Sequence, residues 1–328
     1  MVLDRRQWLT SAASLGALGL AGGPAWAQAA YPNRPIRIIV PFGSGSGSDA
    51  TARYFSEKLA PILGQSIYVE NKPGADGAIG MLSAKGAPAD GYTLVQGGIS
   101  PSVVNAVLVK DLAYDPVKDF VPLLGYGRNM NVLVTANESR LKTFADVQQQ
   151  GRAATAPLNV GTFSTTLHLA VAWLGEATGV PFTSVPYKGQ SNVLNDVIGQ
   201  QLDLALVDLG GASPLLRSGK LRALAVTGEK RSPDFPDIPT VLESGVPGYV
   251  LYSWNAFYVR SGTPAPIRER LADAIHRVMT SPETIDQLYR PKGTEGIPLS
   301  AEQMRKLQLE EIERFRQIAG KLSTVLPR

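Results

Sequence analysis

The chain has 328 residues, enough for about two domains of ordinary size. Hydrophobic residues make up 44% and charged residues 18%, which argues against a disordered or fibrous chain. The net charge of +4 comes without a run of lysine and arginine interleaved with aromatic residues, so nucleic-acid binding is not indicated, and the absence of cysteine excludes disulfides, thiolate catalysis and cysteine-ligated metals.

Residues 1–27 have the composition of an export signal. Arg5 and Arg6 precede an apolar stretch at 10–23, and Ala-Trp-Ala at 25–27 has the small-x-small pattern of a cleavage site. We therefore predict cleavage after Ala27 and a mature protein free in the periplasm, because no later apolar run approaches the roughly 18 residues of a membrane span. The paired arginines resemble a twin-arginine signal, and an ordinary secretory signal is the alternative.

Three strand-loop-helix units follow. Strands are predicted at 36–40, 66–70 and 92–97, and each is followed by a loop rich in glycine or serine and then by a helix. The first of these helices is predicted to begin at Ala50. Repeated units of this kind predict a largely parallel sheet flanked by helices, in which ligands bind at the carboxyl ends of the strands.

The same pattern begins again near residue 130. Strands are predicted at 132–135, 158–161, 182–185, 202–207 and 221–227, with a helix near 144–149 and a loop and helix at 162–176. A second α/β lobe is therefore predicted. We place a last strand at 249–259 and two amphipathic helices at 266–280 and 301–322 back on the first lobe. The chain then crosses between the lobes twice, and we predict a hinge at 125–131 and 251–255.

Two strand-to-helix loops could hold a small anion. In Gly43–Asp49, alternating glycine and serine bring backbone N–H groups and hydroxyls to a helix N-terminus, which suits a carboxylate. The alternative is that Ser48 or Asp49 only caps the helix. Gly161–Thr166 is a second, hydroxyl-rich loop that could present donors from the other lobe, and its alternative is also an ordinary N-cap. The first loop lacks the Gly-Lys-Ser or Gly-Lys-Thr of a nucleotide-binding loop.

Side chains suited to catalysis are few. His168 and His276 are the only histidines, and no nucleophile elbow or metal-ligand spacing accompanies them. Asp49, Asp76 and Asp208 lie at or near strand-to-helix loops, but a paired-carboxylate hydrolase would need two of them close together. We therefore predict a binding protein that has no catalytic residue, metal or cofactor.

Fragments along nearly the whole chain form a consistent pattern. In order, they are Pro41–Asp49, Asn71–Ala75, Asp90–Leu94, Tyr114–Phe120, Val185–Gly189, Arg217–Thr227, Asp237–Val241, Gly245–Tyr249 and Ser253-Trp254. Together they resemble the periplasmic substrate-binding proteins of tripartite tricarboxylate transporters, also called Bug proteins. The resemblance implies a type II periplasmic binding protein fold, in which two lobes hold a small organic carboxylate and deliver it to permease subunits made by other chains. We assign 31–128 and 254–328 to lobe 1 and 129–253 to lobe 2, and we expect a monomer.

The resemblance also implies which residues contact the ligand. Candidates in lobe 1 are Phe42, Ser44, Ser48, Asp49, Gly77, Ala78 and Ser100. Candidates in lobe 2 are Thr162, Phe163, Ser164, Thr165, Thr166, Tyr187, Lys188, Gly189 and Asp208, with a solvated charge at the rim as the alternative for Lys188. Ser46, Asp76 and Ser164 stand where the family usually has glycine. An acid at position 76 would disfavour a second ligand carboxylate nearby and could instead receive an ammonium or hydroxyl group, with a plain turn residue as the alternative.

Two other functions are compatible with this fold. A sensing component would bind the same ligand and pass it to a receptor kinase, whereas a periplasmic hydrolase or isomerase would turn the ligand over. In a binding protein, ligand-driven closure requires more favourable contacts in the closed state than in the open one. We expect the loops of lobe 2 to provide those contacts.

Overall fold

The computed structural model describes residues 31–322, and the predicted export signal lies outside the described residues. The strands are β1 (Ile36–Val40), β2 (Ile67–Asn71), β3 (Thr93–Gly98), β4 (Phe120–Ala136), β5 (Leu158–Thr162), β6 (Phe182–Pro186), β7 (Leu204–Asp208), β8 (Leu221–Val226), β9 (Tyr252–Arg260) and β10 (Leu299–Ser300). The helices are α1 (Gly47–Leu63), α2 (Ala78–Lys85), α3 (Asn105–Leu108), α4 (Phe144–Ala153), α5 (Thr165–Thr178), α6 (Gln190–Ile198), α7 (Leu209–Arg217), α8 (Ala265–Met279), α9 (Pro282–Thr284) and α10 (Ala301–Leu322).

The strands form a curled sheet in the order β2-β1-β3-β9-β4-β7-β5-β6, and β8 and β10 also pair with β4. At one end β1 is parallel to β2 and β3, and at the other end β5 is parallel to β6 and β7. In the middle, β9 is antiparallel to β3 and β4, and β4 is antiparallel to β7 and β8. The sheet therefore contains two parallel α/β units joined through antiparallel strands.

Strand β4 changes partners along its length. It pairs with β9 from Phe120 to Met130, whereas it pairs with β7 from Asn131 and with β8 from Val132. We call β1, β2, β3, β9 and the first part of β4 the first-lobe sheet, and β5 to β8 with the last part of β4 the second-lobe sheet. This is the two-lobed α/β arrangement that the sequence predicts.

Strand β4 is longer than the sequence indicates. The sequence predicts a strand at 132–135, but β4 has 17 residues and begins at Phe120. Glycines interrupt its apolar pattern because other segments pack closely over them: a side chain at Gly125 would overlap Met304, and a Cβ at Gly127 would lie 2.8 Å from Thr294 Cγ2. Because this close packing requires glycine, the first part of β4 lacks the apolar pattern by which a strand is recognised in a sequence.

Apolar side chains from strands and helices fill the space around both parts of the sheet. Every residue of β1 except Arg37 is fully buried, as expected for β-branched residues in a strand that helices cover. The rings of Phe55, Tyr126 and Phe257 pack with centroids 4.9–5.2 Å apart and join α1, β4 and β9. A cluster of buried residues from β4, β7 and α6 forms the core of the second lobe.

The last long helices pack mainly on the first-lobe sheet. α8 packs against α1 and β4, and α10 packs against β4 and the turn at 100–104. α10 also contacts α5 of the second lobe, where Lys321 forms an ion pair with Glu176 at 3.6 Å. Among residues 31–322, no helix combines the length and the apolar character needed to cross a membrane.

Candidate functional site

The loops that follow β1, β2 and β3 meet at one edge of the first-lobe sheet, because parallel strands place their carboxyl ends at the same edge. Gly77 has a φ of 89° and lies between Pro41 and Pro101, so a Cβ there would be 3.2 and 3.1 Å from their Cβ atoms. A Cβ at Gly80 would lie only 2.7 Å from Pro41 Cα. Glycine at these two positions therefore permits the three loops to pack into one surface.

Asp49 holds the loop Gly43–Asp49 in place. Its buried carboxylate accepts hydrogen bonds from Gly45 N (2.9 Å), Arg53 Nε (3.1 Å) and Asn71 Nδ2 (2.9 Å). The hydrogen bond from Arg53 lowers the pKa of Asp49 to about 2, against the opposing effect of burial. Both carboxylate oxygens are engaged within the first lobe, so this side chain shapes the loop.

Helix α1 begins earlier than the sequence indicates. It starts at Gly47 instead of Ala50, and its N-cap is Ser46, whose Oγ accepts a hydrogen bond from Asp49 N at 3.2 Å. The expectation that Ser48 or Asp49 caps the helix is therefore wrong. The reason is a tight turn in which Ser46 N donates to Gly43 O at 3.2 Å and brings Ser46 into the capping position.

The remaining first-lobe candidates line the same edge of the sheet. The carbonyl oxygen of Phe42 accepts a hydrogen bond from Asn71 Nδ2 at 3.1 Å, which ties the loop after β1 to the end of β2. Ser44 is exposed, Ser48 is half-buried, and Ala78 is buried at the start of α2. Backbone N–H groups and hydroxyls of three loops therefore lie at one end of the first lobe.

Two hydrogen bonds connect these first-lobe loops to the first turn of α5 in the second lobe. Thr165 Oγ1 donates to Asp76 Oδ2, and the hydroxyls of Ser100 and Thr166 are 2.9 Å apart. Ser164 is the N-cap of α5, since its Oγ accepts a hydrogen bond from Leu167 N at 3.3 Å. These hydrogen bonds join the second of the two predicted donor loops, Gly161–Thr166, to the loops after β2 and β3 and not to Gly43–Asp49.

The other candidates in this loop point into their own lobe. Thr162 is fully buried, and its hydroxyl lies 3.2 Å from Ser184 Oγ on β6. Phe163 is half-buried and packs against the apolar cores. His168 is half-buried one turn into α5, and burial lowers its pKa. Of these side chains, Thr162 supports the loop from within the second lobe through Ser184.

The loop after β6 carries three further candidates. Tyr187 OH donates to Asp196 Oδ2 at 2.5 Å, and this hydrogen bond raises the pKa of the phenol. Lys188 is exposed, which agrees with its alternative interpretation as a charge at the rim. Gly189 is half-buried and precedes α6 in an extended conformation, with a φ of −172°. In this region the Tyr187 side chain is directed to its own lobe.

Asp208 ends β7 and caps α7. Its Oδ1 accepts a hydrogen bond from Gly211 N at 3.1 Å, and its backbone is held on both sides by the amide of Gln190. Burial raises the pKa of Asp208, while hydrogen bonds and the charge of Lys292 oppose that rise. The charge of Lys292, a residue that the sequence analysis did not include, therefore acts on this carboxylate.

Lys292 lies at a contact between the lobes that the sequence analysis did not predict. Its Nζ donates to Thr51 Oγ1 of α1 at 3.2 Å, and burial lowers its pKa. Its carbonyl oxygen lies so close to Gly210 of α7 that an added Cβ would overlap it. The segment after α9 therefore contacts the first helix of the first lobe and the start of α7 in the second lobe.

No group of three or more acidic or histidine side chains within residues 31–322 could hold a metal ion. The site is instead built from hydroxyls, backbone N–H groups and a small number of charged side chains. This donor set can bind an anion by hydrogen bonds at helix N-termini.

Residues 51–323 match the family model described as "Tripartite tricarboxylate transporter family receptor". This chain belongs to that family. A curated relative from Cupriavidus necator, the "UPF0065 protein in gbd 5'region", is 33% identical over 329 residues, which cover 98% of each chain. The identification as a transporter substrate-binding protein is thereby confirmed, and the protein is a binding protein and not an enzyme.

Three solved structures share the fold. The periplasmic binding protein BugD is 27% identical with a TM-score of 0.78, covering 89% of this chain and 99% of its own. The R. palustris protein Rpa4515 with adipate is 31% identical with a TM-score of 0.78, and the match covers 88% of this chain and 97% of Rpa4515. MatC from Rhodopseudomonas palustris with bound malate is 27% identical with a TM-score of 0.77, covering 88% and 99%. The predicted periplasmic binding protein fold is therefore confirmed.

Proposed function

We propose that the protein captures a small organic carboxylate between its two lobes and delivers it to permease subunits of a tripartite tricarboxylate transporter. The observation that carries this proposal is the meeting of polar loops from both lobes, where Thr165 and Thr166 hydrogen-bond with Asp76 and Ser100. The relatives solved with adipate and malate support a carboxylate as the ligand. A cleft closed by such contacts can report occupancy to a partner.

In this proposal the first lobe binds the ligand carboxylate. The donors are backbone N–H groups and hydroxyls from its candidate residues, Phe42, Ser44, Ser48, Gly77, Ala78 and Ser100. The N-terminus of α2 lies between the loops that contain Pro41 and Pro101, and the first N–H groups of a helix have no partner within the helix. Asp49 contributes by ordering the loop, because its carboxylate is already occupied.

The second lobe completes the cleft when it meets the first. Its candidates are Thr162, Phe163, Ser164, Thr165, Thr166, Tyr187, Lys188, Gly189 and Asp208. Thr165 and Thr166 act directly across the cleft, whereas Thr162 and Tyr187 shape the loops from behind through Ser184 and Asp196. Lys292 and Gly210 add a second contact between the lobes beside Asp208.

We assign 31–128 and 254–328 to one lobe and 129–253 to the other, with hinge segments at 125–131 and 251–255. The change of partners in β4 after Met130 supports this assignment. Thr227 N donates to Asn131 O, and Leu251 N donates to Thr227 O, both at 2.9 Å, so the two crossing segments are tied together. Both hinge strands would therefore bend as one unit.

We also propose that the protein works as a monomer in the periplasm after cleavage behind Ala27. The pattern at 1–27 supports export, as do solved relatives described as periplasmic. An N-terminal sequence that begins at Gln28 in protein recovered from the periplasm is the expected result. Full-length protein retained in the cytoplasm would contradict this part of the proposal.

A screen of the 28–328 chain against organic acids tests the ligand class. A ligand that binds only the folded state at 100 times its Kd adds about 2.7 kcal/mol to the free energy of unfolding, which raises the melting temperature. We expect at least one carboxylate to do so, and small-angle scattering to show a smaller radius of gyration with it. A panel of aliphatic and aromatic acids without any such response would contradict the proposal.

A further inference from the structure

Asp76 has an uncommon backbone conformation, and its side chain contacts the other lobe. Asp76 and Ala75 both have a φ of 48°, in the left-handed region that few residues other than glycine adopt. Asn105 Nδ2 donates to the carbonyl oxygen of Asp76 at 3.2 Å, and the next residue, Gly77, is fixed between two prolines. A residue held in an uncommon conformation by such surroundings points to a functional constraint.

The carboxylate of Asp76 lies at the N-terminus of a helix in the other lobe. It accepts a hydrogen bond from Thr165 Oγ1, and Thr165 is the first residue of α5, directly after the cap Ser164. The N-terminus of a 14-residue helix favours a negative charge. Among the ion pairs of residues 31–322, none joins a lysine or arginine to Asp76, and the Thr165 hydroxyl is the hydrogen-bond partner of its carboxylate.

A ligand held between the lobes, as proposed above, lies between the first-lobe loops and the first turn of α5, which these hydrogen bonds join. A second ligand carboxylate would suit that position well, but Asp76 already occupies it. Two carboxylates at close range in a poorly solvated cleft repel each other strongly. Adipate and malate, the ligands of the solved relatives, carry two carboxylates each. A ligand of that kind would bring its far charge toward Asp76.

We infer that Asp76 is a specificity-determining residue that takes the place of a ligand's second carboxylate, so that this protein selects acids with one carboxylate and an uncharged or cationic far end. This inference rests on the proposed function, because it presumes that the other carboxylate binds to the first-lobe loops. Asp76 would select the ligand by its charge, whereas the size of the cleft would select the length of the ligand's carbon chain.

Matched acids that differ only at the far end test this role. Hexanoate, 6-aminohexanoate and adipate have six carbons and end in a methyl, an ammonium and a carboxylate group, and the four- and eight-carbon sets extend the series. Titration calorimetry gives the Kd of each. For the unmodified protein we expect the better of the two monocarboxylates of the preferred length to bind at least tenfold more tightly than the dicarboxylate.

The variant Asp76→Asn removes the charge and keeps a side chain that tolerates the left-handed conformation. We expect this variant to bind the dicarboxylate more tightly and the ω-amino acid more weakly. The ratio of the dicarboxylate Kd to the monocarboxylate Kd should fall at least tenfold, whereas the Kd of the plain alkanoate should change less than about threefold. Asp234→Asn, at an exposed aspartate, is the matched control for net charge and should leave all ratios unchanged. Thr165→Val removes the hydroxyl but not the charge and should keep the preference for one carboxylate.

The possible results separate this inference from the proposed function. Equal binding of mono- and dicarboxylates by the unmodified protein, or a preference unchanged in a folded Asp76→Asn variant, would overturn the role of Asp76 and leave carboxylate capture intact. Binding of no acid of the series or of the wider panel by either form would overturn the proposed function and this inference with it.

Discussion

Two glycines, Gly80 and Gly210, make the same kind of close contact in two different regions of the molecule. Gly80 lies against the backbone of Pro41, within the first-lobe edge, and Gly210 lies against the carbonyl of Lys292, between the second lobe and the segment after α9. In the proposed closing movement, the first contact lies within one lobe and persists when the lobes separate, whereas the second forms only when the lobes meet. We therefore expect changes in the first region to affect stability and changes in the second to affect closure.

The largest effect is expected from Gly80→Ala. The added methyl would lie 2.6 Å from Pro41 Cβ and 2.7 Å from Pro41 Cα, so α2 or the loop after β1 must shift. Overpacking of this kind costs about 1–3 kcal/mol of the free energy of unfolding, measured by chemical denaturation. Gly43→Ala is the matched control, since a Cβ there meets nothing within 4 Å. Equal stability of the two variants would show that the first-lobe edge is not tightly packed.

Asp49→Asn tests the polar side of the same region. The pKa of Asp49 is lowered from 3.8 to about 2, chiefly by the hydrogen bond from Arg53. A folded-state pKa below the unfolded value adds stability that is present above about pH 4 and is lost as the pH falls through about 2. Because Arg53 is half-exposed and screened, we expect the variant to lose about 1–2 kcal/mol at pH 7.

The pH dependence separates this effect from a general loss of packing. The difference in unfolding free energy between Asp49→Asn and the unmodified protein should shrink as the pH falls from 4 toward 2. Asp234→Asn, at an exposed position, serves as the control and should match the unmodified protein throughout. A difference that stays constant down to pH 2 would mean that the ionised form of Asp49 contributes no stability.

Gly210→Ala tests the contact between the lobes. Separation of the lobes relieves the overlap with the Lys292 carbonyl, so stability should stay within about 0.5 kcal/mol of the unmodified protein. The closed state should become less populated, which we expect to weaken carboxylate binding about tenfold and to reduce ligand-induced compaction in small-angle scattering. Gly320→Ala, whose methyl meets nothing within 4 Å, is the control. If Gly210→Ala lowered the stability and left the affinity unchanged, the contact between Gly210 and Lys292 would belong to the folded core, as the contact of Gly80 does.

The sequence predicts the two lobes well because their signals are local. A β-branched run followed by a loop of glycine and serine identifies the end of β1, and a hydroxyl-rich loop that leads to Thr166 identifies the end of β5. The start of α1 is missed because a turn at Gly43, and not composition, decides that Ser46 caps the helix. Local pattern therefore identifies the elements but does not fix the residue at which each begins.

Contacts that join distant segments leave little trace in the sequence. Lys292 reaches Thr51 across 241 positions, and neither residue stands in a distinctive motif. Asp208 is visible as a loop acid, but Lys292, whose charge acts on it, is not, because a short 3-10 helix at 290–292 carries that lysine there. The same limit applies to Gly125, which the sequence assigns only to a hinge segment, because its place in β4 and its close packing against Met304 depend on distant residues.

The smallest effect is expected at the hydroxyl pair Ser100 and Thr166, whose oxygens are 2.9 Å apart across the cleft. Ser100→Ala and Thr166→Val each remove one partner, and the double variant completes a thermodynamic cycle. A hydrogen bond of this type contributes about 0.5–1.5 kcal/mol, so we expect a coupling of that size in the carboxylate Kd and almost none in unfolding. A coupling seen in unfolding but not in binding would mean that the two lobes already meet without ligand, and that the contact belongs with the fixed first-lobe edge instead of with closure.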